Sequence, residues 1–317
     1  AVVGYEYQDF VYKGVDLGAL GFTTDALPYT SILQNALQSN TFISSYVNPQ
    51  SELQSIFGRV TANLQDKYLL TATMRADGSN KFGKNNRYGY FPSFAAKWNI
   101  SSEEFMKGSS FFQNLALRLG WGITGNQEFP AGAAQEQYAL AGSGGARQVN
   151  VANPDLKWEK SNQLNAGLDF AILDSRISGS VDYFHKKTTD LLFNYTAIVP
   201  GPASNLWINM PGDITNKGVE LALRGEIVRG KDLLWGLGVN ATFISNELQN
   251  YTGPDVLTGA ISGQGVTGAT VQRFANGHPL NVFYVRKYEG LDKDGLAQYA
   301  DNGNTMRYFS PEAEFQM

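Results

Sequence analysis

Apolar and polar residues alternate one by one along much of this chain. Leu115, Leu117, Leu119, Trp121 and Ile123 interleave with Ala116, Arg118, Gly120, Gly122 and Thr124. Tyr68, Leu70, Ala72, Met74 and Ala76 do the same with Leu69, Thr71, Thr73 and Arg75, as do Tyr90, Phe94, Ala96 and Trp98 with Phe91, Ser93, Ala95, Lys97 and Asn99. Side chains on a strand point to opposite faces with a period of two, so each segment has one apolar and one wetter face. The pattern predicts about ten strands: 3–12, 53–64, 68–76, 89–100, 115–124, 158–172, 176–187, 214–228, 233–245 and 281–288. Ser101-Ser102-Glu103-Glu104 spells a capping box and predicts one short helix before Gly108.

The gaps between these segments are sorted by length. Gln65-Asp66-Lys67, Leu173-Asp174-Ser175 and Arg229-Gly230-Lys231-Asp232 are tight turns, whereas 13–51, 125–157, 194–213 and 246–277 are long. In an up-and-down sheet alternate connections lie at the same end, so short turns collect on one side and long loops on the other. That asymmetry marks an outer-membrane barrel. A Greek-key sandwich gives no reason for it.

Aromatic spacing points the same way. Tyr90 and Trp98 lie eight residues apart on one face of a strand, and Trp235 and Phe243 repeat the interval. At ~3.3 Å per residue and a tilt of ~40°, eight residues rise roughly 20 Å, close to the ~25 Å between the aromatic girdles of a barrel. The candidate lipid-facing or girdle set is Tyr68, Tyr90, Trp98, Leu117, Leu119, Trp121, Trp235 and Phe243. Opposite them Arg59, Arg75, Lys97, Arg118, Asp169, Glu220, Arg224 and Asn240 would face a polar lumen, because neither sign of charge belongs in lipid. In a sandwich the same polar positions would be the solvent-exposed outer surface.

Composition narrows the classes. Charged residues make up 17% of the 317, below the ~25% of ordinary soluble domains, while 34 glycines and 13% aromatics suit a large antiparallel structure. A net charge of −4 gives no reason to expect nucleic acid as a partner. No run of 18 apolar residues exists, which excludes a transmembrane helix but not barrel strands. The absence of cysteine removes disulfides and thiolate metal sites. The opening residues Ala1-Val2-Val3-Gly4-Tyr5 lack the form of a signal peptide, so the chain reads as a mature or excised piece.

Several blocks, in order, then resemble one family. Ser55-Ile56-Phe57-Gly58-Arg59-Val60 precedes Asp66-Lys67-Tyr68-Leu69-Leu70-Thr71-Ala72-Thr73. Arg75-Ala76-Asp77-Gly78-Ser79 is followed by Phe82-Gly83 and Gly89-Tyr90-Phe91-Pro92-Ser93, then by Leu117-Arg118-Leu119-Gly120-Trp121-Gly122-Ile123-Thr124-Gly125-Asn126-Gln127. Asn153-Pro154-Asp155-Leu156-Lys157-Trp158-Glu159, Gly167-Leu168-Asp169-Phe170, Asn216-Lys217-Gly218-Val219-Glu220-Leu221 and Gly277-His278-Pro279-Leu280 complete the set. Together they resemble the SusC/RagA family of TonB-dependent outer-membrane transporters. The resemblance implies an all-β, 22-stranded transmembrane barrel with an N-terminal plug, working with a SusD-like surface lipoprotein. It also implies import of oligosaccharides or peptides, powered through TonB, with no catalysis and no cofactor. Residues 1–317 would then be part of such a barrel, without the plug, the N-terminal strands or an aromatic-terminated closing strand. The alternative classes are a soluble β-sandwich that binds glycans and a β-rich enzyme.

Other motifs carry less. Gly263-Gln264-Gly265-Val266-Thr267-Gly268 spells GxGxxG but lies in a Gly/Thr/Ser-rich loop without a βαβ frame. Asp292-Lys293-Asp294-Gly295 opens like a calcium loop yet lacks the twelfth-position glutamate. His185 and His278 are too few for a histidine metal site, and no nucleophile has an evident base. The loop residues Tyr138, Tyr195, Trp207, Asn209 and Tyr251 are candidates either for ligand or lid contact or for packing loops on one another.

Overall fold

The computed structural model describes the chain except residues 23, 25, 29–31, 37–39, 141–143, 197–204, 264–265, 286, 292, 294, 296, 300–306 and 310–317. The alternating segments form nine long strands: β1 (Val2–Phe10), β2 (Ser51–Leu64), β3 (Tyr68–Ser79), β4 (Tyr88–Asn99), β5 (Phe112–Asn126), β6 (Glu159–Ile172), β7 (Ile177–Thr189), β8 (Asp213–Arg229) and β9 (Leu234–Gln249). They make one antiparallel sheet in which each strand pairs with the next in order, so the topology is a pure meander. This is the wall architecture of a large transmembrane β-barrel.

The connections separate by end. Residues 65–67, 100–111, 173–176 and 230–233 close one end of the sheet, and 11–50, 80–87, 127–158 and 190–212 close the other. The tight turns rely on left-handed backbone at Gln65 and Asp66 and at Leu173, Asp174 and Ser175. The long connections have structure of their own. Residues Lys13–Ala19 pair with Thr41–Val47, while Gln137–Leu140, Ala146–Asn150, Leu191–Thr196 and Asn205–Met210 form a four-stranded loop sheet. Another joins Val256–Gly263, Val266–Phe274, Val282–Val285 and Arg307–Phe309.

Three expectations need correction. The tenth predicted strand is the short Val282–Val285, part of a loop sheet rather than of the wall. It is set apart by Pro279 and by Asn281, whose φ of 58° bends the chain immediately before it. The helix expected at 101–104 is two 3₁₀ turns, Ile100–Ser102 and Glu104–Met106, with no side-chain cap. Glu104, the residue that would complete the capping box, accepts from Lys107 Nζ instead, and Glu103 is engaged by the wall (below). Finally, the GxGxxG segment straddles the Val256–Gly263 and Val266–Phe274 hairpin, whose extended backbone offers no helix N-terminus; its Gln264 and Gly265 lie outside the described residues. Asp292 and Asp294 also lie outside them.

The buried core lies among the loops and not between layers of the wall. Phe82, Phe91, Phe129, Leu156 and Trp158 pack with Ala133 and Ala134, and Trp207 leans against them. Ring contacts of 4.6 Å between Phe82 and Trp158 and 5.1 Å between Phe82 and Phe129 join the 80–87 and 127–158 connections. Truncating the fully buried Leu156 leaves a void that costs about 2–5 kcal/mol. Leu156→Ala is therefore expected to speed amide exchange across 127–158 while leaving β2–β6 unchanged; equal protection in both proteins would show that this cluster does not hold the loops.

Candidate functional site

The register fixes which side chains share a face. Residues directly opposite each other across a ladder point the same way, and this relation runs unbroken from strand to strand. Phe57 faces Arg75, which faces Phe91; Leu69 faces Lys97, which faces Arg118; Arg118 faces Gly167, which faces Asp182, which faces Glu220. Following the rungs, Arg59, Arg75, Lys97, Arg118, Asp169, Glu220, Arg224 and Asn240 all fall on one face. Tyr68, Tyr90, Trp98, Leu117, Leu119, Trp121, Trp235 and Phe243 all fall on the other.

The polar face is organised around two arginines. Arg118 forms a two-pronged pair with Asp169, Nε to Oδ2 and Nη2 to Oδ1, both 2.8 Å, and Nη2 also reaches Asp182 Oδ1 at 2.8 Å. Such bidentate, charge-assisted contacts are the strongest a guanidinium makes. They depend on Gly167, which lies between Arg118 and Asp182 across the sheet. A Cβ there would sit 2.1 Å from Asp182 Oδ1 and 2.9 Å from the guanidinium carbon. Arg75 forms the second cluster: Nε donates to both Asp77 oxygens (2.7 and 3.0 Å), and Nη2 donates to Ser55 (2.8 Å) and Glu6 (3.1 Å). Its guanidinium carbon also lies 5.8 Å from the Phe57 ring centre. Arg59 donates to Thr73 at 3.2 Å. Lys97 lies beside Arg118, while Glu220, Arg224 and Asn240 lie further along the face on β8 and β9.

Asp182, Asp77 and Glu6 were not among the candidates. Asp182 falls in the polar alternation of β7 as Asp169 does in that of β6, but only the register shows that both reach one arginine.

The opposite face is apolar and uncovered: Leu119 is 49% exposed, Phe94 57% and Phe243 65%. At the short-turn end Tyr68 and Trp98 stack with ring centres 6.4 Å apart. Their polar tips turn to the same carboxylate, Tyr68 OH donating to Glu103 Oε1 at 2.6 Å and Trp98 Nε1 at 3.0 Å. Lys67 Nζ donates to Glu103 Oε2 at 2.9 Å. Aromatic rings with one wet edge occupy this position at membrane boundaries. The three donors, Tyr68 first, pull the Glu103 carboxyl from its ordinary 4.5 to about 2.

Among the loop candidates, Trp207 is enlisted for packing: it sits 5.8 Å from the Phe129 ring, and its carbonyl accepts from Asn153 Nδ2 at 2.8 Å. Asn209 is a clamp, donating to the carbonyls of Lys157 and Asp190 and accepting from the Lys157 amide. Tyr251 donates to the Pro254 carbonyl. Tyr195 pairs with Leu206 inside the loop sheet. Tyr138 is 60% exposed, with its hydroxyl on Glu136. No group of three or more potential metal ligands occurs among the described residues.

A meander wall with sorted connections, one charged face and one apolar face defines an outer-membrane β-barrel protein. Residues 2–312 match the family described as "TonB dependent receptor-like, beta-barrel", and the chain belongs to that family of outer-membrane transporters and receptors. It is 38% identical over 323 residues to TonB-dependent receptor SusC of Bacteroides thetaiotaomicron, covering 96% of this chain and 31% of that protein. It is 33% identical over 300 residues to TonB-dependent receptor P3 of Formosa agariphila, covering 92% and 30%. Among solved structures it superposes on one chain of the RagAB peptide transporter with a TM-score of 0.74 and 26% identity, covering 98% of this chain and 34% of that one. The chain thus spans about a third or less of the relatives it matches.

Two outcomes follow. A double-mutant cycle of Arg118→Met with Asp182→Asn is expected to show a coupling of about 1 kcal/mol, the scale of a half-exposed pair. Gly167→Val should abolish that coupling; an unchanged value would mean the glycine is not what admits the contact. Glu103 has a depressed folded pKa, so its contribution to stability is complete above about 4.5 and is lost as pH falls towards about 2. Unfolding titrations should show Glu103→Gln flattening the pH dependence in that window, and parallel curves for the two proteins would refute the assignment.

Proposed function

We propose that this chain is part of the barrel wall of a SusC-like importer that carries oligosaccharides or peptides across the outer membrane. Its apolar face meets lipid and its charged face lines the lumen. The observation that carries this is the continuous register across nine strands, which puts Arg75, Lys97, Arg118, Asp169 and Glu220 on one face and Leu117, Leu119 and Phe243 on the other. A single sheet with an uncovered apolar face is stable only where a solvent other than water meets that face. The residues at the two edges, β1 and β9, pair on one side only within the wall among the described residues. An open edge cannot persist in hydrocarbon, so the remaining strands of a 22-stranded barrel must complete the wall. In the whole transporter a plug engages TonB, and the folded long loops meet a SusD-like surface lipoprotein. Cargo passes without covalent chemistry.

The soluble glycan-binding sandwich is not favoured, because Leu119, Trp121 and Phe94 would then lie in a sealed core, whereas Leu119 and Phe94 are about half exposed.

Nitroxide labels at Leu119→Cys and Thr71→Cys of the whole transporter in bilayers test the two faces. Relaxation by oxygen should dominate at position 119, and relaxation by a water-soluble nickel chelate at position 71. Equal or reversed accessibility would sink the proposal. Leu119→Arg should lower barrel stability by about 2–4 kcal/mol, the cost of arginine near the midplane of a barrel's lipid face. Purification of the whole transporter in mild detergent, followed by mass spectrometry of bound small molecules, is expected to yield an oligosaccharide or peptide with an accompanying lipoprotein.

A further inference from the structure

The apolar face has a gap at the short-turn end of β7, β8 and β9. Ile177, Gly225 and Leu237 lie opposite one another in register, and Leu223 and Val239 form the next rung. Gly225 has no side chain where both neighbours carry large ones. A Cβ on it would have only Ile227 Cδ1 nearby, at 3.8 Å. The result is an open groove of about 770 Å³ with apolar walls.

The rim of the groove is charged in both signs. A bulge at Glu226–Val228 brings the Glu226 and Ile227 carbonyls beneath Arg176, whose Nη2 donates to both at 3.4 and 3.3 Å. Arg229 is taken by Glu226 Oε2 at 3.2 Å and by the Asp174 carbonyl. Arg176 therefore keeps most of its donors, with no carboxylate paired to it among the described residues, and the Asp174 carboxylate beside it is likewise without an ion-pair partner there.

We propose that this groove binds a zwitterionic phospholipid of the periplasmic leaflet. One acyl chain lies along Gly225 between Ile177 and Leu237. The phosphodiester accepts from Arg176, and the headgroup ammonium meets Asp174. Apolar burial supplies most of the attraction, and the paired charges select the headgroup. The short turns place this rim on the periplasmic side, where phospholipid headgroups lie. The inference rests on the apolar face being the lipid face.

The test is native mass spectrometry of the whole transporter with added phosphatidylethanolamine, reading the lipid retained at fixed collision energy. Gly225→Phe, which fills the groove, and Arg176→Gln, which removes the phosphate donor, should each lower retention roughly tenfold, the scale of one charge-assisted contact. Arg176→Lys should retain more than Arg176→Gln. Phosphatidylglycerol, which lacks the ammonium, should be retained less, with the difference vanishing in Asp174→Asn. Wild-type retention in both Gly225→Phe and Arg176→Gln, or equal retention of diacylglycerol, would overturn the site. If the Leu119 label is nevertheless reached by oxygen, only the groove proposal falls. If that label is reached by the nickel chelate, the lipid-facing assignment falls with it.

Discussion

The constraint behind this structure is that a backbone crossing hydrocarbon must satisfy every amide from within the protein. Strands can do so only through their neighbours, so the wall is an unbroken ladder from β1 to β9. Once the ladder is continuous, the pleat does the rest. Each residue on a rung inherits the face of the residue beside it, and a one-residue slip would move a whole strand's charges into the apolar band. The arginines of the polar face and the leucines of the apolar face are therefore two consequences of one register.

Charges on the polar face are not left to water alone. Arg118 is shared between Asp169 and Asp182, and Arg75 between Asp77 and Glu6. Arg118 and Asp169 link adjacent strands, Arg118 with Asp182 and Arg75 with Glu6 link strands two apart, and Arg75 with Asp77 stays within β3. At roughly a third to two-fifths side-chain exposure for the arginines they add little stability. Their value is in orienting guanidinium groups and spacing neighbouring acids along a polar surface.

Much of the wall is legible in the sequence, since the alternation that a strand needs is a local property. Leu115 to Thr124 states its own faces, and the short turns state their own geometry. What stays hidden depends on register or on distant packing. Asp182 cannot be assigned to Arg118 without knowing how β7 aligns with β6. Gly167 looks like any other glycine until the guanidinium beside it is seen. The hairpin of 13–19 with 41–47 escapes because it lies outside the two-solvent setting and needs no clean alternation. Glu104 is the reverse case: its spacing from Ser101 fits a capping box, but its carboxylate takes the ammonium of Lys107 rather than a backbone amide.

The clamp at Asn209 has a consequence for how such a rim can diverge. Its side chain hydrogen-bonds to main-chain groups of 157 and 190, and Asn153 likewise holds the carbonyl of 207. Bonds of that kind are indifferent to the side chains their partners carry. The loop frame can thus keep its shape while the outward residues it displays are exchanged freely, giving descendants new surfaces on an inherited scaffold.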